Sequence, residues 1–240
     1  MPVYSISGVT TKGVVGGSNC IRDYLLRYYD ARDLNSATNN TAWNDISGNN
    51  QDSSAGTAPT WGSYYFDFDG TDDYWEFPAL SFTENSAFSM EMWINFDGWA
   101  NPRGGLFMCG AFGDSYGFDN NGSGVVRFGI RPAGSLFNVE ASSLSTGVWY
   151  FFSGTYDGGG NGGVVKLYKN GVLVGTATNT HTSLSTSEAL RVGYNQVLGG
   201  SSTGADTFNG KISALRVYNK ELSQDEVLYN FNSERGAFAI

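Results

Sequence analysis

The side chains in this sequence best suited to chemistry are aromatic rings that stand beside amides and carboxylates. A sugar presents apolar C–H faces and polar edges together, so recognising one takes exposed rings next to hydrogen-bonding groups. Trp99 in Asp97-Gly-Trp-Ala-Asn101, Tyr116 in Asp114-Ser-Tyr-Gly117, and Tyr194 with Asn195 stand where loops or strand ends could present them. Core packing is the competing account of every such ring. Trp43, Trp93 and Trp149, at strand starts or inside strands, read as core or sheet-face residues.

Other reactive groups are sparse. His181, the single histidine, lies in the polar stretch Thr180-His181-Thr182-Ser183 with no matched serine, cysteine or aspartate arrangement, and reads as a surface residue. Gly158-Gly-Gly-Asn-Gly-Gly163 is glycine-rich, but a phosphate cradle needs a strand before it and a helix after it, and here strands are expected on both sides. Cys20 and Cys109 lack the close-spaced partners of a metal cluster and read as two free thiols. Lys and Arg total 14 against 23 Asp and Glu, a net charge of −9, with no basic run to follow a phosphate backbone. Nucleic acid and anionic membranes are therefore poor partners. No apolar stretch reaches the length of about 18 residues that spans a bilayer, and residues 1–19 have neither the basic nor the apolar region of a signal peptide.

The elements that must position these residues are mostly strands. Glycine supplies 33 of 240 residues, and 6 Trp, 14 Tyr and 16 Phe give ample area to bury. Residues 1–23 read as an extended N-terminal arm and residues 24–240 as one domain. Phe88 to Phe96 alternates with a period of two and predicts a half-buried strand, with Glu91 on its solvated side. Val164–Lys169 and Val172–Ala177 flank Asn170-Gly171, the dipeptide that tolerates the two positive φ angles of a tight hairpin. Tyr64–Phe68, Asp73–Phe77, Val125–Arg131, Val148–Tyr156, Leu190–Tyr194 and Ile212–Tyr218 are further short strands, a spacing that suggests two stacked antiparallel sheets. One helix interrupts them: Ser223 and Glu226 can form a capping box, Leu222 can staple onto Val227, and the helix should run to about Phe231 or Asn232 with Leu228 and Phe231 turned inward and Gly236 as a stop.

Taken in order, Trp43-Asn-Asp-Ile-Ser-Gly48, Phe66-Asp-Phe-Asp-Gly70-Thr-Asp-Asp-Tyr74, Phe88-Ser-Met-Glu-Met-Trp93-Ile94, Trp149 to Asp157, Leu167-Tyr-Lys-Asn-Gly171, and Phe208-Asn-Gly-Lys-Ile212 through Arg216-Val-Tyr-Asn-Lys-Glu-Leu-Ser223 resemble the laminin G-like branch of the concanavalin A-like lectin/glucanase superfamily. The resemblance spans about 43 to 231 and implies an all-β, concanavalin A-like jelly-roll β-sandwich of two antiparallel sheets with one short C-terminal helix. The lead-in Leu25-Leu-Arg-Tyr-Tyr-Asp30-Ala-Arg-Asp-Leu34, running into Trp43 to Gly48, resembles in particular the modules of tailed-bacteriophage virion proteins. That implies a virion location, as capsid decoration or tail fibre component, with other virion proteins as partners, a host-surface glycan as a further contact, and a homo-oligomer. A lectin-like module of a bacterial or phage surface protein is the alternative.

The resemblance also bears on catalysis and on metal. Glycoside hydrolysis needs two carboxylates flanking the scissile bond. Enzymes of the superfamily carry them as Glu-x-Asp-x-x-Glu on one strand face, whereas here Glu91 is followed by Trp93 and Asn95, so a non-enzymatic module is expected. Laminin G-like modules often hold Ca²⁺ at the sandwich rim, and Asp69, Asp72 and Asp73 around Gly70 are the matching candidates. Gly210-Lys-Ile212-Ser213-Ala214 departs from the acidic residues that the family commonly places there, which removes supporting ligands. The competing account is that these aspartates cap turns through their own backbone.

Overall fold

The computed structural model describes residues 19–98, 104–111, 114–122, 124–182, 184, 188–195 and 207–240. In chain order the strands are β1 (Leu25–Asp30), β2 (Ser54–Ala55), β3 (Thr60–Trp61), β4 (Phe66–Asp69), β5 (Trp75–Phe77), β6 (Phe88–Phe96), β7 (Gly105–Ala111), β8 (Asp114–Asn120), β9 (Val126–Arg131), β10 (Phe137–Ala141), β11 (Trp149–Tyr156), β12 (Val164–Lys169), β13 (Val172–Thr178), β14 (Leu190–Val192) and β15 (Asn209–Tyr218). The helix α1 (Gln224–Glu234) follows, continued by a 3-10 turn over Arg235–Phe238.

These strands form two antiparallel sheets. The larger runs β13–β12–β11–β6–β15–β4–β3, and β1 lies beside β4 on the same flank of β15. The smaller runs β10–β9–β8–β7–β14–β5–β2. Between them lies the main core, where Phe88, Met90, Met92, Ile94 and Phe96 of β6 meet Phe107, Tyr116, Phe118 and Phe128 of the facing sheet. The two-residue alternation of β6 is thus what aims this set of side chains inward.

Strand β6 differs from its expected half-burial, because all nine of its residues are buried. Its second face is covered by the C-terminal segment, which forms a smaller core of Trp93, Phe151, Val227, Phe231 and Phe238 outside the larger sheet. Alternation alone cannot distinguish a solvated face from one that a later helix covers. The helix is capped as expected: Ser223 Oγ accepts from Glu226 N, and Glu226 Oε2 accepts from Ser223 N at 2.9 Å. It runs to Glu234, past the expected end, and Leu228 is 39% exposed rather than inward, while Phe231 is buried. The hairpin between β12 and β13 turns at Asn170 and Gly171 with φ of 51° and 79°.

Residues 1–18 of the arm lie outside the described residues. Its last part joins the domain, since Cys20 is buried in the second core and Ile21 N donates to Asn230 Oδ1 of α1 at 2.8 Å. Cys20 and Cys109 are both buried and are not joined in a disulfide.

Candidate functional site

The outer face of the smaller sheet carries a shallow trough in which polar side chains stand beside Met108 and Leu136. It arises from strands whose alternation is aromatic inside and polar or glycine outside. In β8, Tyr116 and Phe118 enter the core while Ser115, Gly117 and Asp119 face out; in β9, Phe128 and Ile130 enter while Arg127, Gly129 and Arg131 face out. Register lines these up across the sheet. Glu76, Arg191, Met108, Gly117, Gly129 and Asn138 stand opposite one another in a single row across β5, β14, β7, β8, β9 and β10. One flanking row pairs Ser115 with Arg131, and the other Asp119 with Arg127 and Glu140.

Glycine makes the floor. A Cβ on Gly117, whose φ is +131°, would lie 2.3 Å from Phe107 O, and one on Gly129 would lie 2.6 Å from Phe137 O. Backbone geometry therefore excludes side chains from the centre of the row, where Gly117 and Gly129 lie buried between Asp119 and Arg127 on one side and Ser115 and Arg131 on the other. One wall is a forked ion pair, with Arg127 Nε and Nη2 at 2.5 and 2.6 Å from the two Asp119 oxygens. Burial pushes the Asp119 carboxyl above the usual range even though Arg127 pulls it down. At the other end Arg191 Nε holds Glu76 Oε2 at 2.9 Å. Hydroxyl, amide, guanidinium and carboxylate groups around a backbone floor can bond a polyhydroxylated ligand along its edges.

The residues chosen from sequence are dispersed. Tyr116 is wholly buried, which corrects the expectation of an exposed platform: its ring packs on Phe82 and Phe88 and its hydroxyl donates to Leu80 O at 3.0 Å. Tyr194 is also buried, with its ring 5.7 Å from Tyr74, and bridges to Thr207. Asn195 is buried but lines the trough. Trp99 lies outside the described residues. Trp43 and Trp93 are buried, and Trp149 is half-buried at the edge of the second core. His181 is half-buried rather than plainly superficial, with Nε2 2.8 Å from Ser135 Oγ and its ring edge-on to Phe137. Glu91, expected on a solvated face, is sealed under α1. Asp119, Arg127 and Arg131 escaped notice, although Ser115-x-Gly117-x-Asp119 and Arg127-x-Gly129-x-Arg131 carry the period-two signal that marks them.

The structure does gather the three aspartates. One carboxylate oxygen of each of Asp69, Asp72 and Asp73 lies within 4.8 Å of the others, at the rim where β4 turns towards β5. An all-oxygen donor set suits a hard cation such as Ca²⁺. The same groups also cap the turn, because Asp69 Oδ1 accepts from Thr71 N at 2.7 Å and Asp73 Oδ2 from Asp69 N at 2.9 Å. Lys211, in the segment that departs from the family pattern, is salt-bridged to Asp97 and lies 3.9 Å from Asp67.

Comparison with known proteins bears on the fold and the family. None of the curated proteins matches the chain. Among solved structures, the botulinum neurotoxin serotype D binding domain is similar with a TM-score of 0.70 and 15% identity over 89% of this chain and 52% of that one. The binding domain of Paraclostridial Mosquitocidal Protein 1 gives 0.67 and 14% over 88% and 52%. Trypanosoma rangeli sialidase in complex with sialic acid gives 0.66 and 15% over 90% and 33%. The chain thus spans about half of the toxin domains and a third of the sialidase, and these likenesses concern the fold. The Laminin_G_3 model of the concanavalin A-like lectin/glucanases superfamily matches residues 69–228, from the aspartate rim through the trough strands to the C-terminal helix. The chain belongs to that superfamily.

Proposed function

We propose that this chain is a non-enzymatic carbohydrate-recognition module whose sugar site is the trough of the smaller sheet. The observation that carries the reading is the side-chain-free centre at Gly117 and Gly129, flanked by the Asp119–Arg127 pair and the Ser115–Arg131 row. Such a centre lets a sugar ring lie against backbone while its hydroxyls meet fixed donors and acceptors. Structural relatives support sugar as the ligand class: one is the sialidase bound to sialic acid, and another is botulinum neurotoxin type C, whose cell entry depends on interaction with two ganglioside molecules.

The positions of the described acids favour binding without turnover. Glu91 is on the opposite sheet beneath α1, Asp119 and Glu76 are each held by an arginine, and Glu140, in the same row as Asp119, accepts from Asn121 at 2.7 Å. A glycan array probed with the protein and with Arg131→Ala tests the reading. Binding that Arg131→Ala weakens, with no sugar released from polysaccharide, is expected; binding indifferent to Arg131→Ala moves the site elsewhere.

A phage-particle location is a second reading, which rests on the resemblance of the lead-in to virion modules. Its β1 is joined to β15, and Asp45 accepts from Tyr28 N, Ser47 N and Gln51 N, so residues 25–51 form a built part of the domain. On that reading the module decorates a capsid or a fibre, as a homo-oligomer, through its N-terminal arm. Deleting residues 1–18 while keeping Cys20 and Ile21 should abolish incorporation into particles, measured by mass spectrometry of purified virions, with folding intact. Incorporation of the shortened chain refutes the anchoring role.

A further inference from the structure

Among the described residues, the outer face of the larger sheet is covered over only part of its extent. Phe238 stacks on Trp93 at 3.9 Å with the rings 14° apart and lies 4.9 Å from Trp149, and Phe231 packs against Phe151, so the C-terminal segment seals the apolar part as far as Trp149. Beyond it a cross-strand row continues through different chemistry: Trp149, Asn95, Lys211 and Asp67 stand opposite one another on β11, β6, β15 and β4. Tyr65 leans over this row, its ring 6.2 Å from that of Trp149 and 5.7 Å from Lys211 Nζ. Both rings are half-exposed.

Asn95 is the unusual member. It is 6% exposed, and its Oδ1 is buried without a hydrogen-bond partner. Buried acceptors are nearly always satisfied, and one left open is destabilising. Its neighbour on β15 is Lys211, whose side chain is 22% exposed and is tied to Asp97 at the surface.

We propose that Trp149, Tyr65 and Asn95 form a second sugar-binding surface, on the sheet opposite the trough, which takes a neutral pyranose. The two rings accept its apolar C–H face, a hydroxyl supplies the donor that Asn95 Oδ1 lacks, and Lys211 with Asp97 bonds the remaining hydroxyls. The charges argue against other occupants. A protein interface depletes its centre of charged residues, whereas Lys211 and Asp67 stand inside this row. An anion would meet Asp67 and Asp97 beside the only lysine in the row. The surface differs in kind from the trough, where the floor is glycine.

The test uses isotope-labelled full-length protein and four neutral probes, the methyl glycosides of glucose, galactose, mannose and N-acetylglucosamine. The expected result is a saturable shift of the Trp149 indole and Asn95 side-chain amide signals by at least one probe, weakened about tenfold by Tyr65→Ala, a loss of ordinary size for one aromatic contact. Arg131→Ala in the trough should leave those shifts unchanged. Asn95→Ala should weaken them too, and Tyr65→Ala, at a half-exposed position, serves if Asn95→Ala fails to fold. Shifts confined to trough residues overturn the proposal and leave the trough reading standing. Shifts at Trp149 that persist in Tyr65→Ala, or no shift at Trp149 and Asn95 with any probe, overturn it as well.

Discussion

Glu91 and Arg216 stand directly opposite each other on adjacent strands, and their side chains meet at 2.8 Å with neither accessible to solvent. The pair is the base of a larger buried cluster. Arg216 also binds Glu234 of α1, which in turn takes Arg32 at 2.6 Å and the Trp93 indole N–H at 2.7 Å. Asn230 donates to Glu91 Oε2 at 2.9 Å, while Glu91 Oε1 is left without a partner. The one carboxylate whose strand position could have suggested hydrolysis is therefore part of the joint between helix and sheet. A charge sealed this way is retained for where it docks the helix more than for net stability.

The two acids of the cluster titrate in opposite directions. Burial pushes Glu91 up to about 7, against the pull of Arg216. Burial would raise Glu234 as well, but Arg216 and Arg32 together outweigh it and hold that carboxyl down at about 2. Glu91 binds its proton more tightly in the folded protein than in the unfolded chain, so its contribution is favourable below pH 4.5 and is lost as pH rises through 7. Glu91→Gln removes this dependence. The difference in unfolding free energy, wild type minus Glu91→Gln, should fall by on the order of 3 kcal/mol between pH 4.5 and 8, followed by denaturant titration. A difference that stays flat across the window means the cluster holds Glu91 ionised throughout.

Glu234 carries the opposite sign, with stability present above 4.5 and lost as pH falls towards 2. At neutral pH Glu234→Ala leaves Arg216 and Arg32 without their shared anion, which should cost about 3–5 kcal/mol. Ser223→Ala, which removes only the helix cap, should cost about 1 kcal/mol. Similar losses for the two variants would show that the helix itself, rather than the ion cluster, secures the C-terminal segment.

The sequence made the strand-rich frame legible because its signals are local: the alternation of β6, the Asn-Gly turn after β12 and the capping box at Ser223 each depend on neighbours a few residues apart. Strands β7, β8 and β10 are not legible as strands because glycine or polar residues interrupt each of them, and in β8 those interruptions, Ser115, Gly117 and Asp119, line the trough. Their meaning depends on register between strands, which places Gly117 beside Gly129 and Asp119 beside Arg127. Tyr116 misled for the related reason that a ring in a polar, glycine-rich stretch reads as exposed when every second residue points inward. The rim aspartates were found because Asp69, Asp72 and Asp73 are close in sequence as well as in space.

The floor of the trough gives a prediction that separates folding from binding. Gly117→Ala puts a Cβ at positive φ and 2.3 Å from Phe107 O, so it should destabilise by more than about 1 kcal/mol. Arg131→Ala, at a half-exposed wall position, should destabilise less than Gly117→Ala and weaken glycan binding. Retained binding in both variants would place the sugar elsewhere.

The aspartate rim can be tested by charge and by cation together. Burial raises the Asp73 carboxyl, the Asp69 N–H opposes this, and the neighbouring charges of Asp69, Asp72 and Asp67 raise it further. Asp73 therefore opposes folding increasingly as pH rises through its folded value, and Asp72→Asn, which removes one of the repelling charges, relieves part of that cost. In chelator at neutral pH the variant should be more stable than wild type by a few tenths of a kcal/mol, the scale of a partly screened charge pair, and the advantage should vanish at a pH low enough to protonate Asp73 in both states. Millimolar calcium then separates the two accounts of the cluster. A rise in melting temperature present in wild type and absent in Asp72→Asn assigns the three carboxylates to a bound ion, since an ion held only by the folded state stabilises it by mass action. Equal responses of the two proteins leave Asp69 and Asp73 as turn caps, with Thr71 N and Asp69 N as their partners.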